Sequence, residues 1–162
     1  MMISEKIVTD TWQGMNEMSE LNAPLLVDQM RQEQPVLMAY LLAASDSSFD
    51  LDEGQAVFFI GIVVWLIMRK GKPRLHKVSE KLLEQIIDAN EAQLERLAED
   101  PEADLVMAAH TTSEGYPEPE VLRYIVEALM EPDEEVKFSE ESGGLAFIIL
   151  KNVLDALIAS RK

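Results

Sequence analysis

Thirteen consecutive residues, Ala56 to Met68, carry no polar side chain. A segment apolar on every face must be enclosed, whatever conformation it takes. Thirteen residues fall short of the roughly 20 that cross a bilayer, so the run reads as the inner helix of a folded domain. Its flanks support that reading. Asp50 stands three residues before Glu53 as a capping box, in which each side chain accepts from the other residue's otherwise unpaired N–H. Arg69 and Lys70 lie where the negative end of a helix dipole favours cations, and Gly71 and Pro73 stop the helix. Ile60, Ile62, Val63 and Val64 would also suit a buried strand, but the run is longer than most strands and carries helix signals at both ends. A buried central helix over 51–70 follows, with its neighbours to be found elsewhere in the chain.

The chain has 162 residues. That length suits a single domain, 1–162, large enough to bury roughly 70 % of its unfolded surface. Cysteine is absent, which removes disulfides, thiolate metal sites and cysteine nucleophiles together and points to the cytoplasm. The opening Met-Met-Ile-Ser-Glu-Lys-Ile lacks the basic and apolar regions of a signal peptide, and no other stretch reads as long enough to span a membrane. Fourteen basic against thirty acidic residues leave a net charge of −16. Such a chain repels phosphate backbones and anionic lipids, so neither nucleic acid nor membrane is expected as a partner. A basic protein surface or a divalent cation is favoured.

Apolar spacing predicts a helix from Ile3 ending before Asn22, a short one over 24–33, and a third over 35–45 opened by Pro35. After the central helix, Val78 and Ser79 form a staple and cap for a linking helix, 79–98. Further helices are expected from Asp100-Pro101 to about Thr111, from Pro119 to Met130, and after an acidic loop at 131–142 through Ser160. No stretch alternates apolar and polar residues over strand length. The fold class is therefore all-α, a helical bundle of seven or eight helices.

Two pairs of segments align with each other, suggesting an internal duplication. Pro35 to Ala44 lies over Pro119 to Ala128, pairing Tyr40 with Tyr124. Phe49 to Val64 lies over Phe138 to Val153, pairing Gly54 with Gly143 and Phe58 with Phe147. The repeat units would be 22–70 and 100–160, joined by the linking helix. Where Val36, Ala39 and Ala43 stand in the first unit, the second has Glu120, Arg123 and Glu127. Where the first has Ile62, Val63 and Leu66, the second has Lys151, Asn152 and Asp155, which the comparison leaves in water. The extra apolar face of the first unit is expected to be covered by the N-terminal and linking helices, or by a second copy in a homo-oligomer through Val36, Ala39 and Ala43.

Motifs for chemistry are sparse. His76 and His110 lack partners at metal spacing, and Gly143-Gly144 lacks the Lys and Ser or Thr of a phosphate loop. No serine sits in a nucleophile elbow, and Asp28, Asp88 and Asp155 read as solvent-edge residues. No cofactor is indicated. One pattern does emerge on the linking helix: Glu80, Glu84, Asp88, Glu91, Glu95 and Glu99 share an arc of about 100°. Like charges at these spacings oppose helix formation by roughly 0.2–0.5 kcal/mol per pair, so folding gains nothing from them. The opposite face carries Leu83, Ile87, Leu94 and Leu97 at heptad spacing with Asn90 among them, a polar residue that can set register between helices. Six basic residues, Arg69, Lys70, Lys72, Arg74, Lys77 and Lys81, crowd into thirteen positions. They are able to meet the acidic region 99–141, a second chain, or an anionic ligand. The sequence thus suggests an acidic interaction or scaffold protein using the ridge of Glu80 to Glu99 against a basic partner. The alternative is a small all-α enzyme or regulatory ligand binder with a pocket between the two units.

Overall fold

In the computed structural model the described residues are 3–16, 23–47, 49–70, 74–99, 116–130 and 140–161. They form α1 (Glu5–Asn16), α2 (Ala23–Glu33), α3 (Pro35–Ser47), α4 (Leu51–Lys70), α5 (Glu80–Glu99), α6 (Pro119–Met130) and α7 (Glu140–Ala159). Among the described residues no strand occurs. The nearest thing to one is an isolated antiparallel bridge between Leu75 and Arg161. The helix expected over 100–111 lies outside the described residues.

Local signals place the helix ends. The Glu53 N–H donates to Asp50 Oδ1 at 2.8 Å and the Asp50 N–H to Glu53 Oε1 at 3.4 Å, the reciprocal cap expected for α4. The Leu82 N–H donates to Ser79 Oγ at 3.1 Å, while Val78 and Leu83 are both buried, as a staple and cap require. Pro35 and Pro119 occupy the first positions of α3 and α6, where a missing N–H costs nothing.

The α4 helix runs through the middle of the bundle, packed against α3, α7, α1, α6 and α2. Val57, Val63, Val64, Trp65 and Ile67 are wholly buried, and each contributes on the order of 2 kcal/mol of transfer free energy. The wrapping has one gap on the apolar run, at Phe59, which is 38 % exposed. Close approach of α3 depends on two glycines. A Cβ on Gly54 would lie 2.4 Å from the Ser45 carbonyl oxygen, and one on Gly61 would lie 2.5 Å from a Leu41 methyl.

The second inner helix is α7. Phe147, Leu150, Val153, Leu154 and Leu157 are fully buried on it, and it packs on α4, α5, α6 and α3. Both Leu51–Lys70 and Ser142–Ala159 are long and apolar enough, by length and composition, to cross a membrane, and 56 % and 67 % of their respective windows are buried inside the bundle. The expectations that the apolar run of α4 is too short to span and that no other stretch is long enough therefore both fail on length and composition, at α4 and at α7. Counting only unbroken apolar residues missed α7, because Lys151 and Asp155 interrupt the run without shortening the helix.

Covering of the inner helices also differs from expectation. The N-terminal helix α1 does pack on α4, but the linking helix α5 packs on α7, in the second unit rather than the first. Ala39 and Ala43 consequently remain exposed, while Val36 is half-buried against the core. On α6 the matching stripe has Arg123 and Glu127 exposed and Glu120 half-buried, and Arg123 pairs with Glu120 at 3.7 Å and with Glu127 at 3.1 Å.

Buried polar side chains anchor the irregular segments. Gln34, in the one-residue junction between α2 and α3, donates to the His76 carbonyl and accepts from the Val78 N–H, both at 2.9 Å. Glu118, fully buried, accepts from the Ile3 N–H at 2.9 Å and pairs with Arg161. One carboxylate thereby holds the segment before α1 and the segment after α7.

Candidate functional site

The helix α5 presents two opposed faces of different chemistry, and both follow from its 3.6-residue period. Glu80, Glu84, Asp88, Glu91 and Glu95 are all exposed. At 1.5 Å per residue they form a ridge about 22 Å long. No Lys or Arg among the described residues pairs with any of them. The side chain of Glu99, at the helix end, lies outside the described residues. The structure thus brings five of the six expected ridge residues onto one wet face.

The inward face is anchored by polar groups. Asn90 is buried, and its amide donates to Asn152 Oδ1 at 2.7 Å and to Asp155 Oδ2 at 3.0 Å. Lys151 Nζ donates to Asn90 Oδ1 at 2.9 Å and to Asp155 Oδ2 at 2.7 Å. Asn152 in turn donates to the Tyr40 hydroxyl at 2.9 Å, and the Tyr116 hydroxyl donates to Asp155 Oδ1. Lys151 also lies 5.8 Å from the centre of the Tyr116 ring, within reach of a cation–π attraction. Six side chains from α3, α5, the segment before α6, and α7 make one connected network.

This arrangement corrects the expectation that Lys151, Asn152 and Asp155 face water. Lys151 is 7 % exposed and Asn152 3 %, while Asp155 is half-buried. The reason is the position of α5, which lies over exactly the face of α7 that looks wet when α7 is read alone. A signal for this was present in the sequence. Asn90 interrupts the apolar face of α5, and Lys151, Asn152 and Asp155 interrupt an otherwise apolar α7. Buried polar groups need partners, and these two interruptions supply each other. The heptad Asn does meet polar partners on a facing helix, within one chain.

Burial keeps the phenols of the network neutral. Burial, reinforced by the Asp155 carboxylate, pushes Tyr116 ionisation well above its ordinary value. Burial raises Tyr40 as well, against a smaller opposing effect of the hydrogen bond from Asn152. The two oxygens of Asp155 are taken by three donors, so the carboxylate has little left to offer a reaction.

Of the other residues considered for chemistry, Asp28 is exposed and pairs with Arg31 at 3.2 Å, and Asp88 is exposed on the ridge. His76 is also exposed, its backbone N–H donating to the Ser160 carbonyl at 2.6 Å. His110 lies outside the described residues. No group of three or more metal-ligating side chains gathers among the described residues. No protein-family model matches the chain, and no curated protein or solved structure matches it at a significant level.

Proposed function

We propose that this chain is an interaction module whose α5 ridge docks a basic segment of another protein. The observation that carries the reading is the contrast between the two faces of α5. One face is fixed to α7 by Asn90 and its partners, while the other holds five carboxylates with no described cation to relieve them. A rigidly mounted row of carboxylates with no described counter-charge steers and orients an oppositely charged partner. Duplication of a helical unit accounts for the scaffold: α3 packs on α4 as α6 packs on α7, α4 and α7 pack on each other, and each of α3 and α6 reaches the other unit's long helix. Self-association through Ala39 and Ala43 is a second reading, supported by their exposure beside Leu42, which is also exposed. An enzymatic reading draws less support from a network whose polar groups are spent on one another.

The test is calorimetric titration of a defined Lys- and Arg-rich helical peptide into the intact chain at two salt concentrations. Changing Glu84, Glu91 and Glu95 to Gln and Asp88 to Asn should remove most of the binding. A control neutralising the exposed Glu5, Asp10, Asp46 and Asp52 should retain it. Equal losses in both variants would reduce the effect to net charge and end the ridge proposal.

A further inference from the structure

In a chain with thirty acids, three cations gather around one surface cavity of about 460 Å³. Its lining residues are Glu33, Gln34, Arg69, Lys70, Arg74 and Leu75. The volume falls within the roughly 300–1,000 Å³ of small-molecule sites. Arg69 and Lys70 belong to the last turn of α4 and offset the negative end of its dipole. That role does not extend to Arg74, which lies beyond the helix.

The three cations are not equivalent. Arg69 is engaged, with Nε 3.1 Å from Glu33 Oε1 and its guanidinium 5.6 Å from the centre of the Trp65 ring. Lys70 and Arg74 are exposed and have no carboxylate partner among the described residues. Two like charges lining one cavity repel each other, and the helix dipole that accounts for Lys70 does not account for Arg74.

The wall carrying Arg74 is held in place from both sides. Gln34 binds the backbone at His76 and Val78. The His76 N–H is held by Ser160, and Leu75 bridges to Arg161. An irregular segment tied this often gives up little further freedom when a ligand arrives, and prior ordering of that kind strengthens binding.

We propose that this cavity is a binding site for a small phosphorylated molecule, with Lys70 and Arg74 holding phosphate oxygens and Leu75 lining the side of an organic group. Phosphate suits the pair because its oxygens match the planar fork of arginine and accept the point charge of lysine. The ligand is small and multiply charged for a physical reason. At a net charge of −16, the field outside the cavity repels long polyanions, and a monoanion gains little from two separate cations. The site uses residues distinct from the α5 ridge and stands or falls independently of it.

The experiment follows Trp65 fluorescence in the intact chain carrying Trp12→Phe, with binding checked by calorimetry. Inorganic pyrophosphate should bind saturably and weaken as salt is added. The combined Lys70→Gln and Arg74→Gln changes should reduce its affinity at least about tenfold with helix content and Tm unchanged, since both side chains are exposed. Should the pair perturb folding, each single change is read instead, with the same loss expected in smaller measure. Lys77→Gln with Lys81→Gln removes the same charge from exposed positions outside the lining, and should leave affinity within about twofold. The proposal is overturned if pyrophosphate fails to saturate at millimolar concentration, if the Lys70 and Arg74 changes leave affinity intact, or if the control weakens it equally. Citrate binding as tightly as pyrophosphate would overturn the assignment to phosphate, and tighter binding of a single-stranded oligonucleotide would overturn the assignment to a small molecule.

Discussion

The side-chain amide of Asn90 on α5 meets that of Asn152 on α7 at 2.7 Å, across 62 positions of sequence. This contact lies on the buried face of α5, opposite the face that displays its carboxylates. Asn90→Leu keeps the volume but strands the Asn152 oxygen and one Lys151 donor, each left unsatisfied in a buried place. The expected loss is about 3 kcal/mol in urea unfolding. A variant as stable as the parent chain would mean that the network does not close as described.

Lys151 and Asp155 form a mostly buried ion pair at 2.7 Å. Lys151→Met should cost about 2–3 kcal/mol, near the low end for a broken buried pair because Asp155 retains some water. Combining it with Asp155→Leu should cost less than the sum of the single changes by at least about 1 kcal/mol. Strict additivity in that cycle would contradict the coupling.

Glu118 is the carboxylate shared by Ile3 and Arg161. Glu118→Ala leaves Arg161 and the Ile3 amide without their acceptor and should destabilise the chain by about 3–5 kcal/mol. Hydrogen exchange gives a more specific readout. The Ile3 amide should lose its protection in Glu118→Ala and keep part of it in Glu118→Gln, whose amide oxygen still accepts.

Glycine spacing between α3 and α4 predicts a contrast. Gly54→Ala drives a methyl against the Ser45 backbone and should cost roughly 2–3 kcal/mol, because backbone cannot step aside. Gly61→Ala meets the end of the Leu41 side chain instead, and Leu41→Val should recover part of its loss. Gly144 has nothing within 4 Å of an added Cβ, so Gly144→Ala should stabilise α7 by up to about 1 kcal/mol. Thermal unfolding of the three variants checks the order.

All three tyrosines, Tyr40, Tyr116 and Tyr124, have ionisation raised chiefly by burial. The unfolded chain gives up these protons near pH 10, while the folded chain retains them. The stability they contribute is thus complete below about pH 10 and is lost as pH rises beyond it, where the unfolded state binds fewer protons. Phenolate absorbance should appear together with loss of helix in one cooperative alkaline transition. Independent ionisation of the tyrosines near pH 10 with the helices intact would contradict their burial.

Secondary structure and the two faces of α5 were legible in the sequence because they depend on neighbours a few residues apart. The Asp50 and Glu53 cap, the Ser79 cap, the apolar rod of α4 and the exposure of Glu80, Glu84, Asp88, Glu91 and Glu95 all follow from local spacing and helical period. What lies over what did not follow. Lys151 and Asn152 look wet when α7 is read alone, since a polar side chain is ordinarily assigned to water unless a partner is known. Their partners, Asn90 and Tyr40, stand 61 and 112 positions away. Tertiary packing placed α5 on α7, where the polar interruptions of the two helices only hinted at it, buried Glu118 between the two ends of the described chain, and brought Gln34 to the backbone at 76–78. Periodicity records how polar a face is; only the facing helix determines whether water or another side chain satisfies it.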